Sequence, residues 1–157
     1  MQYNDKISIV VPAYCEPSKV KRFMDAILNI DYPDNLIELI LIDDCSPVSL
    51  EEIAASYGEV FKDKINFLFH RNQINSGRAI SRNVGISLAT NSLIMFIDID
   101  NLLEPYAIKK LFLFSMVSTS LQPELIYEST LPDFPLAIIS VILIAVISER
   151  VISLKGS

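Results

Sequence analysis

The feature that most limits the fold is an alternation between short apolar runs and longer segments with helical periodicity. The apolar runs are rich in Ile, Leu and Val, as expected of parallel strands covered on both faces. They span residues 7–11, 37–42, 65–69 and 93–97. The sequence therefore predicts an α/β fold with an open, mostly parallel sheet, flanked by helices and joined by right-handed crossovers.

Polar residues at the expected helix starts predict where the helices begin. Ser18 is the predicted N-cap of a helix that runs to about residue 28. Ser49 and Glu52 form a predicted capping box for a helix to about residue 57. A third helix is predicted over residues 78–88, and a fourth after Pro105, which suits a first helical position.

Length and composition limit the class of protein. With 157 residues, 51% hydrophobic and 20% charged, the chain is expected to form one domain with its own core. Its net charge of −6 and its lack of a Lys/Arg cluster predict no nucleic-acid partner. An anionic small ligand would need a local cation, such as a divalent metal held by carboxylates.

The N-terminus and the cysteines bear on location. The opening sequence MQYNDKISIV lacks the basic and long apolar regions of a signal peptide, so we expect none. Cys15 and Cys45 belong to no CxxC pair and no Cys/His cluster, so we expect no zinc site. A reducing, cytoplasmic compartment is the resulting expectation.

The candidate site consists of polar residues that follow three predicted strands. In open parallel sheets, ligands bind beyond the carboxyl ends of the strands. These residues are Tyr14 and Glu16, Asp43 and Asp44, and Asp98 and Asp100.

Asp98-Ile99-Asp100 is the strongest of these features. Alternate residues of an extended segment point the same way, so both carboxylates could face one point. They suit Mg²⁺ or Mn²⁺, which would bridge the protein to a diphosphate and stabilise charge on a leaving phosphate. The alternative is a pair of solvated turn aspartates beside Asn101.

The other strand ends also leave alternatives open. Asp43 and Asp44 could accept a hydrogen bond from a base or ribose, or close an Asx-type turn. Tyr14 could stack on a nucleobase, or cover the edge of the core.

Three arginines precede the last predicted strand and could bind phosphate, because the guanidinium fork binds two oxygens. The helix N-terminus near Gly77 would also favour an anion. The alternative is a solvated basic face. The three are Arg71, Arg78 and Arg82.

Four segments occur in an order that resembles the family 2 glycosyltransferases. They are ISIVVPAYCE, LILIDDCSP, RNQINSGRAISRNVGI and LIMFIDIDNLLEP, within residues 6–105. The resemblance implies a GT-A type, Rossmann-like fold. It also implies metal-dependent transfer of a sugar from a nucleotide-diphosphate sugar to a saccharide or lipid acceptor, as in polysaccharide biosynthesis, with inversion at the anomeric carbon.

The resemblance implies nucleotide-binding roles for the first two motifs. Tyr14 would lie near the nucleobase, between Pro12 and Glu16 of the same motif. Asp44 would contact the base, with Asp43 beside it.

The last two motifs imply the rest of the donor site. Arg82 and Asn83 match the family's Arg-Asn pair, so Arg82 would approach the nucleotide. Asp98 and Asp100 match its DxD motif, with Asp98 also near the nucleotide and Asp100 the more direct metal ligand.

The sequence departs from the family pattern at two cysteines and after the DxD motif. Cys15 replaces the usual Asn and Cys45 the usual Gly, and both are predicted to flank the nucleotide crevice. Saturating UDP should therefore slow their alkylation. Three acids shortly before the apolar run, Glu124, Glu128 and Asp133, are in no recognised context, so no catalytic base is assigned.

The C-terminal part has several interpretations. We assign residues 1–115 to the donor-binding domain and residues 116–157 to an apolar segment. Within it, residues 134–148 carry no charge. They could be a short or interfacial membrane segment, a buried strand or helix, or the end of a truncated or frame-shifted chain.

Three functions of the chain are compatible with the sequence, of which a transferase is the first. The main alternative is a non-catalytic nucleotide-sugar-binding fragment. The third hypothesis is a plain α/β domain without a nucleotide site.

Overall fold

The computed structural model describes residues 5–110 and the backbone of residues 142–145. Strands and helices alternate along the chain, as the sequence predicts. The elements are β1 (Ile7–Ala13), α1 (Pro17–Ile27), β2 (Ile37–Asp43), α2 (Glu51–Phe61), β3 (Asn66–Arg71), α3 (Arg78–Leu88), β4 (Leu93–Phe96) and β5 (Ile142–Ala145). A 3₁₀ turn, Asp34–Leu36, precedes β2, and residues 107–110 are helical.

The sheet has the strand order β3-β2-β1-β4-β5 within the described residues. Strands β1 to β4 are parallel to one another, and β5 runs antiparallel to β4. The predicted open, mostly parallel sheet is confirmed. Because β1 lies between β2 and β4, the carboxyl ends of these three strands meet at one edge.

Both faces of the sheet are covered at β1 and β2, which explains their apolar runs, whereas β3 is only partly buried. On one face, Ile9 of β1 belongs to a core cluster with Phe23 of α1 and Phe61 of α2. On the other face, Val10 belongs to a smaller cluster against which Val84 of α3 packs. Neighbouring residues of β1 thus point to opposite helix layers, and all seven of its residues are buried.

Helix α3 packs on β1 at a glycine. A Cβ atom added at Gly85 would lie 2.2 Å from Val10 Cγ1, closer than two carbons approach in a packed interior. Gly85 therefore sets how near the helix comes to the central strand. Since α3 also carries Arg78 and Arg82, this contact determines where both arginines stand at the sheet edge.

The predicted start of α1 at Ser18 is wrong. The helix begins at Pro17, and Glu16 occupies the N-cap position without a side-chain capping bond. Proline suits this first helical position because its ring presets φ and because the N–H it lacks would have no helical partner.

The predicted capping box of α2 does not form. The N-cap is Leu50, without a side-chain capping bond. Ser49 Oγ instead accepts a hydrogen bond from the Glu51 backbone N–H at 3.3 Å. Because the N-cap is Leu50, Ser49 lies one residue before the N-cap and Glu52 is only the second residue of the helix. The helix also continues beyond residue 57 to Phe61, which is fully buried.

Four residues of the apolar C-terminal segment are described, by their backbone alone. Residues 142–145 form β5 and pair with β4, which agrees with a strand of the domain at those positions. The rest of residues 134–148 and the boundary at residue 115 lie outside the described residues, as do Glu124, Glu128 and Asp133. Within the described part of the chain, no helix is long and apolar enough to cross a membrane.

Candidate functional site

A cleft of about 280 Å³ opens at the sheet edge where β1, β2 and β4 end. Residues from all three strand ends and from the start of α3 line it. Among the predicted site residues, those that line the cleft are Pro12, Tyr14, Asp44, Asp98 and Asp100. Asn75, Gly77 and Arg78 form the wall contributed by α3 and the loop before it.

The end of β1 contributes an aromatic ring to the cleft. Tyr14 is 55% exposed, so it does not cover the core edge as the alternative interpretation required. Pro12, two residues earlier, is buried in the strand. Glu16 is exposed at the start of α1 and is not among the residues that line the cleft.

The side chain of Asp43, the last residue of β2, holds the turn that follows the strand. It is fully buried, and its Oδ1 accepts a hydrogen bond from the Ser46 backbone N–H at 2.8 Å. Its Oδ2 pairs with Arg71, whose Nη2 also donates to the Ser46 carbonyl at 3.0 Å. This Asp43–Arg71 pair also explains why β3 runs to Arg71, beyond the predicted end at residue 69. Neither residue is among those that line the cleft.

Asp44, the next residue, borders the cleft but also organises its wall. Its Oδ1 accepts hydrogen bonds from Asn72 Nδ2 at 2.8 Å and from the Ser76 backbone N–H at 3.0 Å. Its Oδ2 accepts one from the Gly77 backbone N–H at 2.8 Å. Two backbone N–H groups just before α3 are thus bonded to the protein's own carboxylate, and the predicted binding of phosphate at this helix N-terminus stays a prediction.

The pKa of Asp44 reflects two opposing effects. Burial raises it, but hydrogen bonds from Ser76, Asn72, Gly77 and Ser81 outweigh burial and hold the pKa below its ordinary value. Asp44 therefore stays ionised at neutral pH. Asn72 also donates to Ser81 Oγ at 3.0 Å, which ties the loop to α3. Neither Asn72 nor Ser81 is predicted from the sequence as a site residue, although both belong to the third motif.

Asp98 follows β4 and is held by two arginines of α3. Arg82 Nη2 donates to its Oδ1 at 2.9 Å, and Arg78 Nη1 donates to its Oδ2 at 3.2 Å. The Arg82 guanidinium lies over the Phe96 ring, 5.7 Å from the centroid, a favourable cation–π position. Its Nε finds no hydrogen-bond partner among the described residues. Arg82, which lies over Phe96, thus holds Asp98 in place. Arg78 is largely exposed.

Asp100 stands at the mouth of the cleft with a different partner. Its side chain is 63% exposed, and Lys19 Nζ of α1 donates to its Oδ1 at 2.7 Å. The hydrogen bond to Asp100 raises the pKa of Lys19. Lys19 is not predicted from the sequence, because 81 residues separate it from Asp100 and it belongs to no recognised motif.

The donor atoms of Asp98 and Asp100 fit a hard divalent cation such as Mg²⁺ or Mn²⁺. No group of three or more His, Cys, Asp or Glu residues that could hold a metal ion occurs in residues 5–110. A metal here would take further ligands from a bound phosphate or water, as Mg²⁺ commonly does. Asp100 is the more available ligand, because both oxygens of Asp98 already face arginines.

The two cysteines lie near this site on the loops after β1 and β2. The backbone N–H of Cys15 donates to Ser46 Oγ at 3.2 Å, which joins the two loops. Burial raises the pKa of the Cys15 thiol to about 11. The charge of Lys19 lowers this pKa and the charge of Asp100 raises it, both to a smaller extent than burial. Cys45 has a φ of 60°, a left-handed conformation in which glycine is favoured. The expected protection of both thiols by UDP stays a prediction.

The sequence model of the family described as "Glycosyl transferase family 2" matches residues 8–114. The Staphylococcus aureus protein poly(ribitol-phosphate) beta-N-acetylglucosaminyltransferase TarS is 26% identical over 105 residues, which cover 66% of this chain and 18% of TarS. The chain thus spans less than a fifth of that relative.

Two solved structures share the fold. Mannosyltransferase PcManGT from Pyrobaculum calidifontis, in complex with GDP-Man and Mn²⁺, has a TM-score of 0.63 at 21% identity over 68% of this chain and 31% of its own. S. aureus TarS in complex with UDP-GlcNAc has a TM-score of 0.61 at 25% identity, over 73% of this chain and 32% of its own. The expected GT-A type of fold is confirmed.

Proposed function

The chain belongs to glycosyl transferase family 2, and we propose that it binds a nucleoside-diphosphate sugar in the cleft at the carboxyl ends of β1, β2 and β4. It transfers the sugar to a saccharide or lipid acceptor in a metal-dependent reaction that inverts the anomeric carbon. The observation that carries this proposal is the convergence of Tyr14, Asp44 and the Asp98–Asp100 pair on one cleft.

The nucleotide end of the donor would lie against β1 and β2. The exposed ring of Tyr14 supports stacking on the base, since an aromatic face accepts any nucleobase. Asp44 borders the same space and would contact the base while it holds the loop before α3. PcManGT is described with GDP-Man and TarS with UDP-GlcNAc, so both UDP-sugars and GDP-sugars are candidate donors.

The diphosphate would lie near the end of β4. A divalent cation bound there would supply positive charge to stabilise the leaving diphosphate. Asp100 would hold the ion, because its carboxylate is exposed and, within residues 5–110, pairs with one lysine. Asp98 and Arg82 would keep the end of β4 in place beside the nucleotide, since their contact is only partly exposed.

The acceptor and the catalytic base are not assigned to residues. Inversion by a single displacement needs a base that removes a proton from the acceptor hydroxyl. The relatives extend far beyond the segment that they share with this chain. Association of the chain with the inner face of the membrane through residues 134–148 stays a prediction.

The main alternative is a nucleotide-sugar-binding chain without turnover. The PcManGT and TarS relatives are themselves described as transferases, which favours the enzyme. The two functions differ in one measurable quantity, the release of nucleoside diphosphate from the donor.

The test is to incubate the chain with UDP-sugars and GDP-sugars plus Mn²⁺ and to quantify the released nucleoside diphosphate. Asp100→Asn should lower the rate by about 100-fold or more, as expected for a lost metal ligand. Asp34→Asn removes the same charge from an exposed turn and should leave the rate unchanged. Donor binding without any release would favour the non-catalytic alternative.

A further inference from the structure

Two exposed cations stand on opposite sides of the Asp98–Asp100 pair. Lys19 of α1 contacts Asp100, and Arg78 of α3 contacts Asp98. Their side chains are 48% and 66% exposed. Exposed ion pairs contribute little to stability because water screens them. Both contacts are therefore easy to exchange for a better partner.

Lys19 occupies a position that does not favour its own helix. It lies in the first turn of α1, which begins at Pro17 and contains no acidic residue. A positive charge there faces the positive end of the helix dipole. The salt bridge to Asp100 compensates for this repulsion in the described structure.

A divalent ion on Asp100 would change the position of Lys19. The ion and the ammonium would compete for the same carboxylate, because Lys19 Nζ is 2.7 Å from Asp100 Oδ1. The ion and the ammonium carry like charges and would repel each other, so they would not share the carboxylate. The displaced ammonium, at the end of a flexible side chain, would remain able to contact the phosphate oxygens of a donor that the ion also binds.

We infer that Lys19 is a switchable cation of the donor site. It holds Asp100 until a divalent ion takes that carboxylate, and it then binds the diphosphate of the donor. This inference rests on the proposed function and adds to it a phosphate-binding residue from α1. Lysine suits this role because its ammonium is a point charge on a flexible chain, which can follow either partner.

Lys19→Gln is the informative variant, and Lys21→Gln is its matched control. Lys21 lies on the same helix, is 64% exposed and pairs with Asp25 four residues later. Each variant removes one positive charge from α1. Only Lys19 contacts the residue expected to hold the metal.

The first measurement is the Mn²⁺ affinity of the chain without nucleotide, by calorimetry. Lys19→Gln should bind Mn²⁺ about twofold to fivefold more tightly, since an exposed competing ion pair is lost. Lys21→Gln should bind it like the wild-type chain. An unchanged or weaker Mn²⁺ affinity in Lys19→Gln would overturn the inferred competition for Asp100.

The second measurement compares UDP with uridine at saturating Mn²⁺. Lys19→Gln should weaken UDP binding about tenfold, the effect of one charge-assisted hydrogen bond. Uridine binding should stay unchanged because uridine has no phosphate. Lys19→Arg should restore most of the UDP affinity. A parallel loss for UDP and uridine would indicate a structural role and overturn the inference.

The two proposals fail in different ways. A folded wild-type chain that binds no UDP would overturn the proposed function, and the role of Lys19 with it. Normal UDP binding by both the wild-type chain and Lys19→Gln would overturn the role of Lys19 alone.

Discussion

Replacing Gly85 by alanine tests the contact that positions α3 on the sheet. The added Cβ would lie 2.2 Å from Val10 Cγ1 and 3.2 Å from Val10 Cβ. Val10 is fully buried in β1, which is paired with β2 on one side and β4 on the other. Neither the side chain nor its strand has room to move away, so α3 must shift.

The magnitude follows from two opposing effects. Overpacking a core typically costs about 1–3 kcal/mol, and a clash with a stiff, buried valine belongs at the upper end. Alanine gains about 1 kcal/mol over glycine in a helix interior. We expect Gly85→Ala to lower the free energy of unfolding by about 2 kcal/mol, measured by urea denaturation.

Gly58→Ala is the matched control. Gly58 lies within α2, where an added Cβ would be 3.9 Å from Phe67 Cδ1, an ordinary contact. The same substitution there should stabilise the chain by up to about 1 kcal/mol, because only the helix propensity changes. The same change from glycine to alanine should therefore lower the free energy of unfolding at Gly85 and raise it at Gly58.

A double-mutant cycle with Val10 tests the cause. Val10→Ala removes Cγ1 and Cγ2, so Gly85→Ala in that background should lose at least about 1 kcal/mol less than in the wild-type chain. Additive effects, or a Gly85→Ala chain as stable as Gly58→Ala, would refute the close-packing argument. Since α3 carries Arg82, Gly85→Ala should also weaken nucleotide binding.

Three further predictions concern single side chains of the site. In a Cys45→Ser chain, the rate of Cys15 alkylation should rise about tenfold per pH unit up to a pH of about 11. The reason is that the thiolate is the nucleophile. An alkylation rate that stops rising near pH 9.0, the ordinary pKa of a thiol, would contradict the burial of Cys15. The pKa of Asp44 is lowered on folding, so its stabilisation is present above the ordinary value of 3.8 and is lost as pH falls through the folded value. Asp44→Asn should therefore flatten the acid side of a stability–pH profile, whereas an unchanged slope would argue against its hydrogen bonds. Cys45→Gly should raise the free energy of unfolding by up to about 1 kcal/mol through relief of the positive φ, and Cys45→Ser should show no such gain in urea denaturation.

The strands and their order along the chain could be predicted, because each strand is formed by a continuous stretch of apolar sequence. A strand buried on both faces must be apolar throughout, so the runs at residues 7–11 and 37–42 identify β1 and β2. The parallel arrangement then brings their carboxyl ends together. This is why Tyr14, Asp44 and Asp98 could be expected at one edge before any distance was known.

The helix starts were harder to predict because several residues compete for each N-cap. Ser18 and Ser49 both have the chemistry of a capping residue. The chain instead uses Pro17 as the first residue of α1 and leaves Leu50 at the N-cap of α2. At both helix starts, the preference of the serine for the N-cap position was outweighed by the backbone geometry that the neighbouring residues impose.

The partners of the acidic residues depend on tertiary approach and leave little trace in the sequence. Asp43 and Asp44 are adjacent, yet one pairs with Arg71 inside the fold and the other binds the loop before α3. Lys19 meets Asp100 only because α1 and the end of β4 lie at the same sheet edge. No spacing rule relates residues so far apart.

The measurement that most directly tests the donor site is calorimetric titration of UDP and GDP, with and without Mn²⁺. We compare the wild-type chain with Asp98→Ala/Asp100→Ala and with Asp34→Ala/Glu59→Ala, which removes the same charge from two exposed positions. One of the nucleotides should bind the wild-type and control chains in a Mn²⁺-dependent way, and the Asp98/Asp100 variant should not bind it. Binding that ignores both Mn²⁺ and the substitutions, or no binding by a chain shown to be folded by circular dichroism, would contradict a metal-dependent donor site in this cleft.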